Sequence, residues 1–381
     1  MHVGMSLFFQ NLRGVTDEEV WLDELRLADL AEPLGFESIW SVEHHFTSYT
    51  MSPDVLQLLT YLAGRTTHIR LGSMVVVLPW HDPVRVAEQI SVLDIVSGGR
   101  VVLGVGRGLG RVEFEGFRVP MGEARDRFDE SARIIIDGLE RGYVELDGMI
   151  YQQPRRDIRP RPPRSFRERT YAAAVSPESI RIVAELGVGM MVIPQKSWAI
   201  HEADAALYRE IFVEAHGRPA PAGVMAGWVF VDADGDRARE MGRIYMDDYY
   251  RSVVDHYEIT GAHFAETKGY EHYAAGAAAL REHGLDPGRE AFARLQLVGT
   301  PDEVLEQISD LAPRLGIESF LAVASYGTMP PTEAERNLRC FAEHVRPRLQ
   351  ARPGSGLSSP LPSAHLPSAH LPNAIVGRAA Q

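Results

Sequence analysis

Cysteine is nearly absent from this sequence. The only cysteine among the 381 residues is Cys340, so no disulfide can form within the chain. There is no Cys-X-X-Cys pair and no Cys/His spacing typical of zinc, and the sequence predicts no metal site. Cys340 falls in a predicted helix, where packing is favoured over chemistry.

Long apolar runs are also missing. No stretch approaches the ~20 apolar residues that a membrane-spanning helix needs. The short apolar run at 3–9 has no basic segment before it, which favours a first strand over a signal peptide. We therefore expect a cytoplasmic protein with no membrane partner.

Positive charge is scarce compared with negative charge. The 39 Lys and Arg residues against 52 Asp and Glu residues give a formal net charge of −13. Because such a surface repels polyanions, a nucleic-acid partner is not expected. With 45% hydrophobic and 24% charged residues, the chain has the composition of a globular protein with a large core.

Strand-like and helix-like segments alternate along the chain. The predicted strands are apolar runs, as expected of parallel strands that are buried on both faces. They are 3–9, 37–42, 69–78, 101–106, 170–175, 188–193, 223–231 and 317–324. Eight such units favour an α/β fold closed into a (β/α)8 TIM barrel. No G-x-G-x-x-G motif opens the first helix, which argues against a Rossmann fold.

Some segments depart from this alternation. The Pro- and Arg-rich stretch 143–168 predicts an irregular excursion, and 235–283 predicts a helical insertion after strand 7. A long loop is expected after strand 4. Capping patterns place helix starts at Thr16, Pro53 and Thr300.

The amino-acid composition divides the chain into two regions. Residues 1–349 are predicted to form one barrel domain. Residues 350–381 are rich in Pro and Ser, contain the sequence LPSAH twice and are predicted to be a disordered tail.

A histidine pair follows the second predicted strand. Active sites of TIM barrels lie at the carboxyl ends of the strands, where His44 and His45 are expected. A histidine there can act as a general base near neutral pH. The alternative is a packed histidine bonded to a carboxylate, but two adjacent histidines at this rim favour function.

Candidate anion-binding residues follow two other strands. Arg107 comes directly after strand 4 and Arg125 follows later, and both guanidinium groups can bind phosphate. After strand 5, Ser176 is a natural N-cap with Ser179 in the first helical turn, a typical anion site. Surface ion pairing and a plain N-cap are the alternatives. The residues alone do not select flavin over a sugar-phosphate aldolase or isomerase.

Five stretches carry a family resemblance. They are GFESIWSVEHHFT (35–47), LGSMVVVLPWHDPVRVAEQISVLDIVSGGR (71–100), LGVGRGLGRVEFEGF (103–117), TKGY (267–270) and VGTPDEVLEQI (298–308). Over residues 1 to about 349 the chain resembles the bacterial luciferase-like flavin-dependent monooxygenases, the family of the alkanal monooxygenase α chain.

The resemblance implies roles for particular residues. His44 matches the catalytic histidine, and Glu113 matches an acidic residue near the site. Arg107, Arg125 and Ser176 match groups that hold the phosphate of reduced FMN, and Met74–Val75 matches a non-proline cis peptide. The full set implied to bind the cofactor is Met74, Val75, Arg107, Arg125, Val175, Ser176 and Ser179.

The resemblance also implies a reaction and partners. A separate flavin reductase would supply reduced FMN (FMNH2), and O2 would react through a flavin C4a-hydroperoxide to oxygenate a small organic molecule. An F420-dependent oxidoreductase on the same barrel is an alternative. A non-catalytic partner subunit is another, against which the retained His44 argues. A homodimer pairing through the helices near 53–65 and 83–97 is expected.

Departures from the family pattern bear on the substrate. Light-emitting members have a reactive Cys at the position of Gly106, an aromatic residue at Gly110 and a Trp at Pro194. We expect these changes to enlarge the pocket, which predicts a non-luminescent enzyme with a substrate bulkier than a simple fatty aldehyde. The resemblance further implies that segment 235–295 includes a mobile loop that closes over the flavin.

Overall fold

Eight parallel strands close into a ring in the computed structural model, which describes residues 1–352 together with 354 and 357. Each strand pairs with the next along the chain, and the eighth pairs with the first. The strands are β1 (His2–Leu7), β2 (Ser38–Ser41), β3 (Arg70–Ser73), β4 (Val101–Gly106), β5 (Thr170–Ala173), β6 (Gly189–Val192), β7 (Gly223–Val231) and β8 (Ile317–Val323). The predicted TIM barrel is therefore confirmed.

Burial explains why these segments are strands. All residues of β1, β4 and β7 are buried, because side chains of one face fill the barrel and those of the other pack under the helices. Two short parallel segments extend the sheet. Val76–Val77 pairs with the end of β4, and Leu297–Gly299 pairs with the end of β7.

Helices surround the barrel. They are Asp17–Asp29, Val55–Arg65, Pro83–Val96, Arg111–Phe117, Ala124–Arg141, Pro177–Leu186, Trp198–His216, Gly235–His256, His263–Glu266, Ala274–His283, Asp286–Ala293, Pro301–Leu315, Pro331–His344 and Arg346–Gln350. Capping boxes begin two of these helices at Thr16 and Thr300, as predicted. No helix among the described residues is long and apolar enough to cross a membrane.

Three local predictions need correction. The second helix begins at Val55 rather than Pro53, because the side chain of Asp54 caps it by accepting the Gln57 N–H at 2.9 Å. Segment 143–168 contains an antiparallel hairpin, Tyr143–Asp147 with Gln152–Asp157. The predicted loop after β4 contains the helix Arg111–Phe117.

The insertion after β7 is broken into pieces. One long helix, Gly235–His256, is followed by short helices up to Ala293 rather than by continuous helix. Gly269 and Gly284 have φ of +87° and +79°, left-handed conformations that interrupt a helix. The side chains of Phe264 and Tyr270 are fully buried with Phe114 in a small second core, which fixes the insertion over the barrel mouth.

The tail prediction for 350–381 falls almost wholly outside the described residues. The last described helix, Arg346–Gln350, reaches the start of that segment.

Candidate active site

Polar side chains follow several barrel strands at the mouth of the barrel. His44 lies three residues beyond β2, the Met74–Val75 peptide directly follows β3, and Arg107 directly follows β4. Ser176 lies three residues beyond β5. Because the carboxyl ends of parallel strands share one end of the barrel, these groups meet there as predicted.

His44 is held at both ring nitrogens. Its Nδ1 lies 3.0 Å from Oε1 of Glu113, and its Nε2 lies 3.2 Å from the hydroxyl of Tyr257. Since the carboxylate can only accept, Nδ1 of His44 carries the proton and Nε2 is free to accept from Tyr257. The contacts therefore select one tautomer, with the basic nitrogen turned toward Tyr257.

Glu113 organises a second histidine. Oε1 of Glu113 also accepts the backbone N–H of His45 at 2.9 Å, and Nε2 of His256 lies 3.5 Å from the same oxygen. Nδ1 of His256 lies 2.7 Å from the hydroxyl of Thr47. Ligand atoms of His44, Glu113 and His256 all lie within 4.8 Å of one another, an arrangement that could hold a metal ion. The hydrogen bonds already satisfy Oε1 of Glu113 without one.

Charges in this cluster follow from the contacts. Burial alone would raise the pKa of Glu113, but the neighbouring His44 and His256 outweigh it and hold the pKa at about 2. Burial lowers the pKa of His256 and raises that of Tyr257. At neutral pH the cluster therefore contains a carboxylate, a neutral His256 and a protonated Tyr257.

His45 has a structural role. Its Nε2 lies 3.2 Å from Oε1 of the buried Glu43, which also contacts Nε2 of His81 at 2.6 Å. Oε2 of Glu43 accepts the Val77 N–H at 2.9 Å. The packed-histidine alternative therefore describes His45, whereas His44 faces Tyr257.

Two arginines converge on one oxygen. Nη1 of Arg107 and Nη2 of Arg125 donate to the carbonyl oxygen of Gly269 at 2.8 and 3.2 Å. Nε of Arg125 is buried and has no hydrogen-bond partner among the described residues. The guanidinium of Arg107 also stacks 4.0 Å from the ring centre of Tyr270. These donors can serve an oxyanion at the same place.

The helix start after β5 adds further donors. The Ser176 hydroxyl accepts the Ser179 N–H at 3.2 Å and lies 2.9 Å from the Ser179 hydroxyl. Nζ of Lys196 donates to the carbonyl oxygen of Val175 at 2.7 Å. Glu178, in the first helical turn, lies 3.8 Å from Nη2 of Arg125, which places this helix start beside the arginines.

Positive charge around these groups affects a nearby histidine. Burial and the neighbouring Arg107 lower the pKa of His272 to about 4, and Lys196 and Arg125 add to the effect. His272 is therefore neutral at neutral pH. Three cationic side chains, Arg107, Arg125 and Lys196, therefore lie near His272, and the last two are paired with Glu178 and Asp204 respectively.

The Met74–Val75 peptide bond is cis, as the resemblance implied. Gly106 lies against it: a Cβ added to Gly106 would come within 2.4 Å of Cγ2 of Val75. A Cβ on Gly110 would come within 2.5 Å of Oε2 of Glu113. The expectation that glycines 106 and 110 enlarge the pocket is wrong, because neighbouring side chains fill that space.

A large cavity lies instead under the insertion. Its volume is about 730 Å3, and Tyr49 and Tyr257, which flank His44, form part of its wall. Gln195 and Lys196 contribute polar groups to the cavity wall, and Trp228 lines the cavity from β7. The cavity therefore extends from the two tyrosines beside His44 to Lys196 after β6.

Sequence patterns missed four of these residues. His256 and Tyr257 end a helix that lies more than 200 positions from His44, and Lys196 and His272 follow other elements. No pattern indicated Lys196, and for His256, Tyr257 and His272 the only signal was the run of Tyr and His residues in the insertion. It showed that aromatic groups were concentrated there but not where they would lie.

The chain is similar to known proteins in sequence and in fold. A family model described as luciferase-like monooxygenase matches residues 1–319. The alkanal monooxygenase α chain of Photobacterium leiognathi is 28% identical over 92% of this chain and 99% of its own length. The monooxygenase RslO1 of Streptomyces bottropensis is 28% identical, with a TM-score of 0.74 over 91% of this chain and 99% of its own.

More distant structures share the fold alone. The oxygenating constituent of a Pseudomonas putida 3,6-diketocamphane monooxygenase, solved with FMN, is 20% identical with a TM-score of 0.70 and 91% and 99% of the chains covered. An F420-dependent secondary alcohol dehydrogenase is 18% identical with a TM-score of 0.67 and 91% and 98% covered. The family match and the shared barrel together show that this chain belongs to the luciferase-like monooxygenase family.

Proposed function

We propose that the protein is a two-component monooxygenase that uses reduced FMN and O2 to oxygenate an organic molecule bulkier than a simple fatty aldehyde. The observation that carries the proposal is the convergence of Arg107 and Arg125 on one oxygen, at the barrel mouth that also holds the His44–Glu113 pair. Family membership supports the reaction class.

The donor set fits an FMN phosphate. Arg107 and Arg125 offer guanidinium groups, and the buried Nε of Arg125 has no hydrogen-bond partner within the described part of the chain. Ser176 and Ser179 offer hydroxyls at a helix start. The backbone of Met74–Val75 would line the ring system. Reduced FMN bound here would supply the activation of O2, with one oxygen atom transferred to substrate and the other released as water.

The protein's own groups would handle protons and exclude water. Nε2 of His44 is placed to accept a proton, and the carboxylate of Glu113 stabilises the imidazolium that results. Tyr257, protonated and on the cavity wall, can pass a proton between the cavity and His44. The insertion over the barrel mouth shields these groups from solvent.

Two partners belong to the proposal. A separate flavin reductase would provide FMNH2. A second copy of the chain would pair through helices Val55–Arg65 and Pro83–Val96, which leave Tyr61 and Val92 47% and 43% exposed. The dimer is tested by comparing the sedimentation of the native protein with that of the Val92→Glu variant.

The cofactor is tested by binding and oxygen reaction together. The protein is titrated anaerobically with reduced FMN and with reduced F420, then mixed with O2 while the visible absorbance of oxidised flavin is followed. We expect reduced FMN to bind more tightly and its reoxidation to be delayed by the protein. Tighter F420 binding with no delay would overturn the proposal in favour of an F420 enzyme.

A histidine variant refines the same experiment. His44→Ala should bind reduced FMN as the native protein does but lose most of the delay. His68→Ala is the matched control, because His68 has a 72% exposed side chain on the surface. An unchanged delay in His44→Ala would show that His44 takes no part in the reaction.

A further inference from the structure

Three side chains that can bind a metal ion meet at the barrel mouth, although they lie far apart along the chain. Ligand atoms of His44, Glu113 and His256 lie within 4.8 Å of one another. Oε1 of Glu113 lies 3.0 Å from Nδ1 of His44 and 3.5 Å from Nε2 of His256. Atoms that bind one tetrahedral zinc ion at about 2.0 Å are roughly 3.3 Å apart, so these spacings suit such an ion.

The charge of Glu113 has no lysine or arginine beside it. Its side chain is 0% exposed, and within the described part of the chain it forms ion pairs only with His44 and His256. Arg111, on the same helix, forms its ion pairs with Glu115 and Glu258 instead. Buried charges are normally paired or bound to a metal, so Glu113 is placed to attract a cation.

Two buried atoms of this group have no hydrogen-bond partner among the described residues. They are Oε2 of Glu113 and Nε2 of His256. A Cβ on Gly110 would come within 2.5 Å of Oε2 and 3.2 Å of Nε2, so only glycine at this position leaves both atoms uncovered. A metal ion lies about 2 Å from its ligands, closer than a water molecule can approach them. The burial of these atoms therefore does not exclude an ion between them.

The second ring nitrogen of each histidine is held by a hydroxyl group. Nε2 of His44 lies 3.2 Å from the hydroxyl of Tyr257, and Nδ1 of His256 lies 2.7 Å from the hydroxyl of Thr47. Metal-binding histidines are typically oriented in this way, through a hydrogen bond at the nitrogen that does not bind the metal. Nδ1 of His44 and Nε2 of His256 are thereby left for a shared ligand.

The chemistry of the three side chains selects the kind of metal. Two imidazole nitrogens and one carboxylate are typical ligands of Zn²⁺ and related transition metals. Mg²⁺ and Ca²⁺ prefer sites made of oxygen atoms alone.

We propose that His44, Glu113 and His256 form a binding site for a divalent transition metal such as Zn²⁺. The observation that carries the proposal is a buried carboxylate between two imidazoles, with unpartnered atoms on Glu113 and His256. The metal would replace the proton on Nδ1 of His44 that Glu113 accepts, and it would therefore inhibit the proton transfer assigned to His44. That inhibition rests on the proposed function, whereas metal binding does not require flavin.

The test uses flavin-free protein that has been treated with a chelator, which is then removed. Binding of Zn²⁺ is measured by calorimetry, and Co²⁺ serves as a probe whose visible absorption reports tetrahedral coordination by nitrogen and oxygen. We expect one ion per chain, a visible Co²⁺ spectrum that Zn²⁺ abolishes, and no displacement of either metal by excess Mg²⁺.

Variants assign the ligands. His256→Ala and Glu113→Gln should each weaken Zn²⁺ binding by at least about 100-fold, because loss of even a hydrogen bond to a metal-binding histidine costs roughly 10- to 100-fold. Thr47→Val, which removes only such a hydrogen bond, should weaken binding about 10-fold. His68→Ala is the matched control, since His68 also lies beside a carboxylate, that of Glu32 at 3.4 Å, but has a 72% exposed side chain.

A further variant keeps all three ligands. Gly110→Ala places a Cβ against Oε2 of Glu113 and Nε2 of His256, so it should weaken Zn²⁺ binding without removing a metal-binding group. Circular dichroism shows whether each variant folds, and Gly110→Ala keeps a second test if a ligand variant does not.

The outcomes separate the metal site from the proposed function. No visible Co²⁺ spectrum, or Zn²⁺ binding that is unchanged in His256→Ala, overturns the metal site. Metal binding as expected in a protein that neither binds reduced FMN nor delays its oxidation would leave the metal site standing and overturn the monooxygenase proposal. A delay in a protein that binds no Zn²⁺ would do the reverse.

Discussion

The hydroxyl of Tyr257 lies 3.2 Å from Nε2 of His44, while Glu113 contacts the opposite ring nitrogen at 3.0 Å. These two contacts define which nitrogen of His44 is basic and what it faces. Burial raises the pKa of Tyr257, so its hydroxyl remains protonated and donates. The relationship links a residue after β2 to the end of the helix after β7.

Removing that hydroxyl should affect reaction but not cofactor binding. We expect Tyr257→Phe to slow the His44-dependent step about 10-fold, as loss of a positioned proton donor predicts, with the affinity for reduced FMN unchanged. The lifetime of the protein-bound flavin during reoxidation and its pH profile are the measurements. Tyr208→Phe is the control, because its buried hydroxyl donates to the Val188 carbonyl far from the site. Equal effects in both variants would refute a specific role for Tyr257.

Glu113 should contribute to stability as well as to the site. Glu113→Ala leaves the Nδ1 proton of His44 and the N–H of His45 without their acceptor, so we expect a loss of about 3 kcal/mol in the free energy of unfolding. Glu113→Gln keeps an oxygen acceptor and should lose less of the free energy of unfolding. Urea denaturation measures both. Glu115→Ala, on the same helix with a 64% exposed side chain, should change stability by no more than about 0.5 kcal/mol.

The arginines should recognise phosphate rather than the flavin ring. Arg107→Ala and Arg125→Ala are each expected to weaken binding of reduced FMN about 10- to 100-fold, because each removes a charge-assisted hydrogen bond. Reduced riboflavin, which lacks the phosphate, should bind the variants and the native protein alike. Arg118→Ala, a control on the same side of the barrel with an exposed side chain, should bind both ligands normally. Equal losses of affinity for reduced FMN and reduced riboflavin would show that these arginines do not bind the phosphate.

A buried histidine should make stability depend on pH. Burial and the nearby Lys196 lower the pKa of His201 to about 4, and Nε2 of His201 accepts the Gln195 and Lys196 N–H groups. The unfolded chain, with a histidine pKa near 6.5, binds the extra proton, so stability falls as pH drops from about 6.5 toward 4.

The expected change in the free energy of unfolding is large enough to measure. Between pH 7 and pH 5.5 this histidine should account for a loss of about 1 kcal/mol in the free energy of unfolding. Urea denaturation of native protein and His201→Gln at the two pH values isolates its share, since glutamine keeps an acceptor but does not titrate. An identical pH dependence in the two proteins would contradict the assignment.

The barrel and part of the site could be predicted because they depend on local patterns. Apolar runs identified β4 and β7 to the residue, and the position of His44 or Arg107 just beyond a strand predicted its place at the barrel mouth. The start of the second helix was misplaced because Asp54 caps it in preference to Ser52. The helix Arg111–Phe117 was missed because seven residues are too few to show a clear period.

The sequence by itself determined the α/β barrel, the end of the barrel that holds chemistry and the histidine and arginines that lie there. Only the tertiary structure decided that Glu113 contacts His44, that Tyr257 faces its other nitrogen and that aromatic side chains form a cavity beside them. The physical reason is that these contacts depend on how the insertion after β7 packs over the barrel. Its direction is set by a small core around Phe264 and by glycines in left-handed conformations rather than by any repeating pattern along the chain.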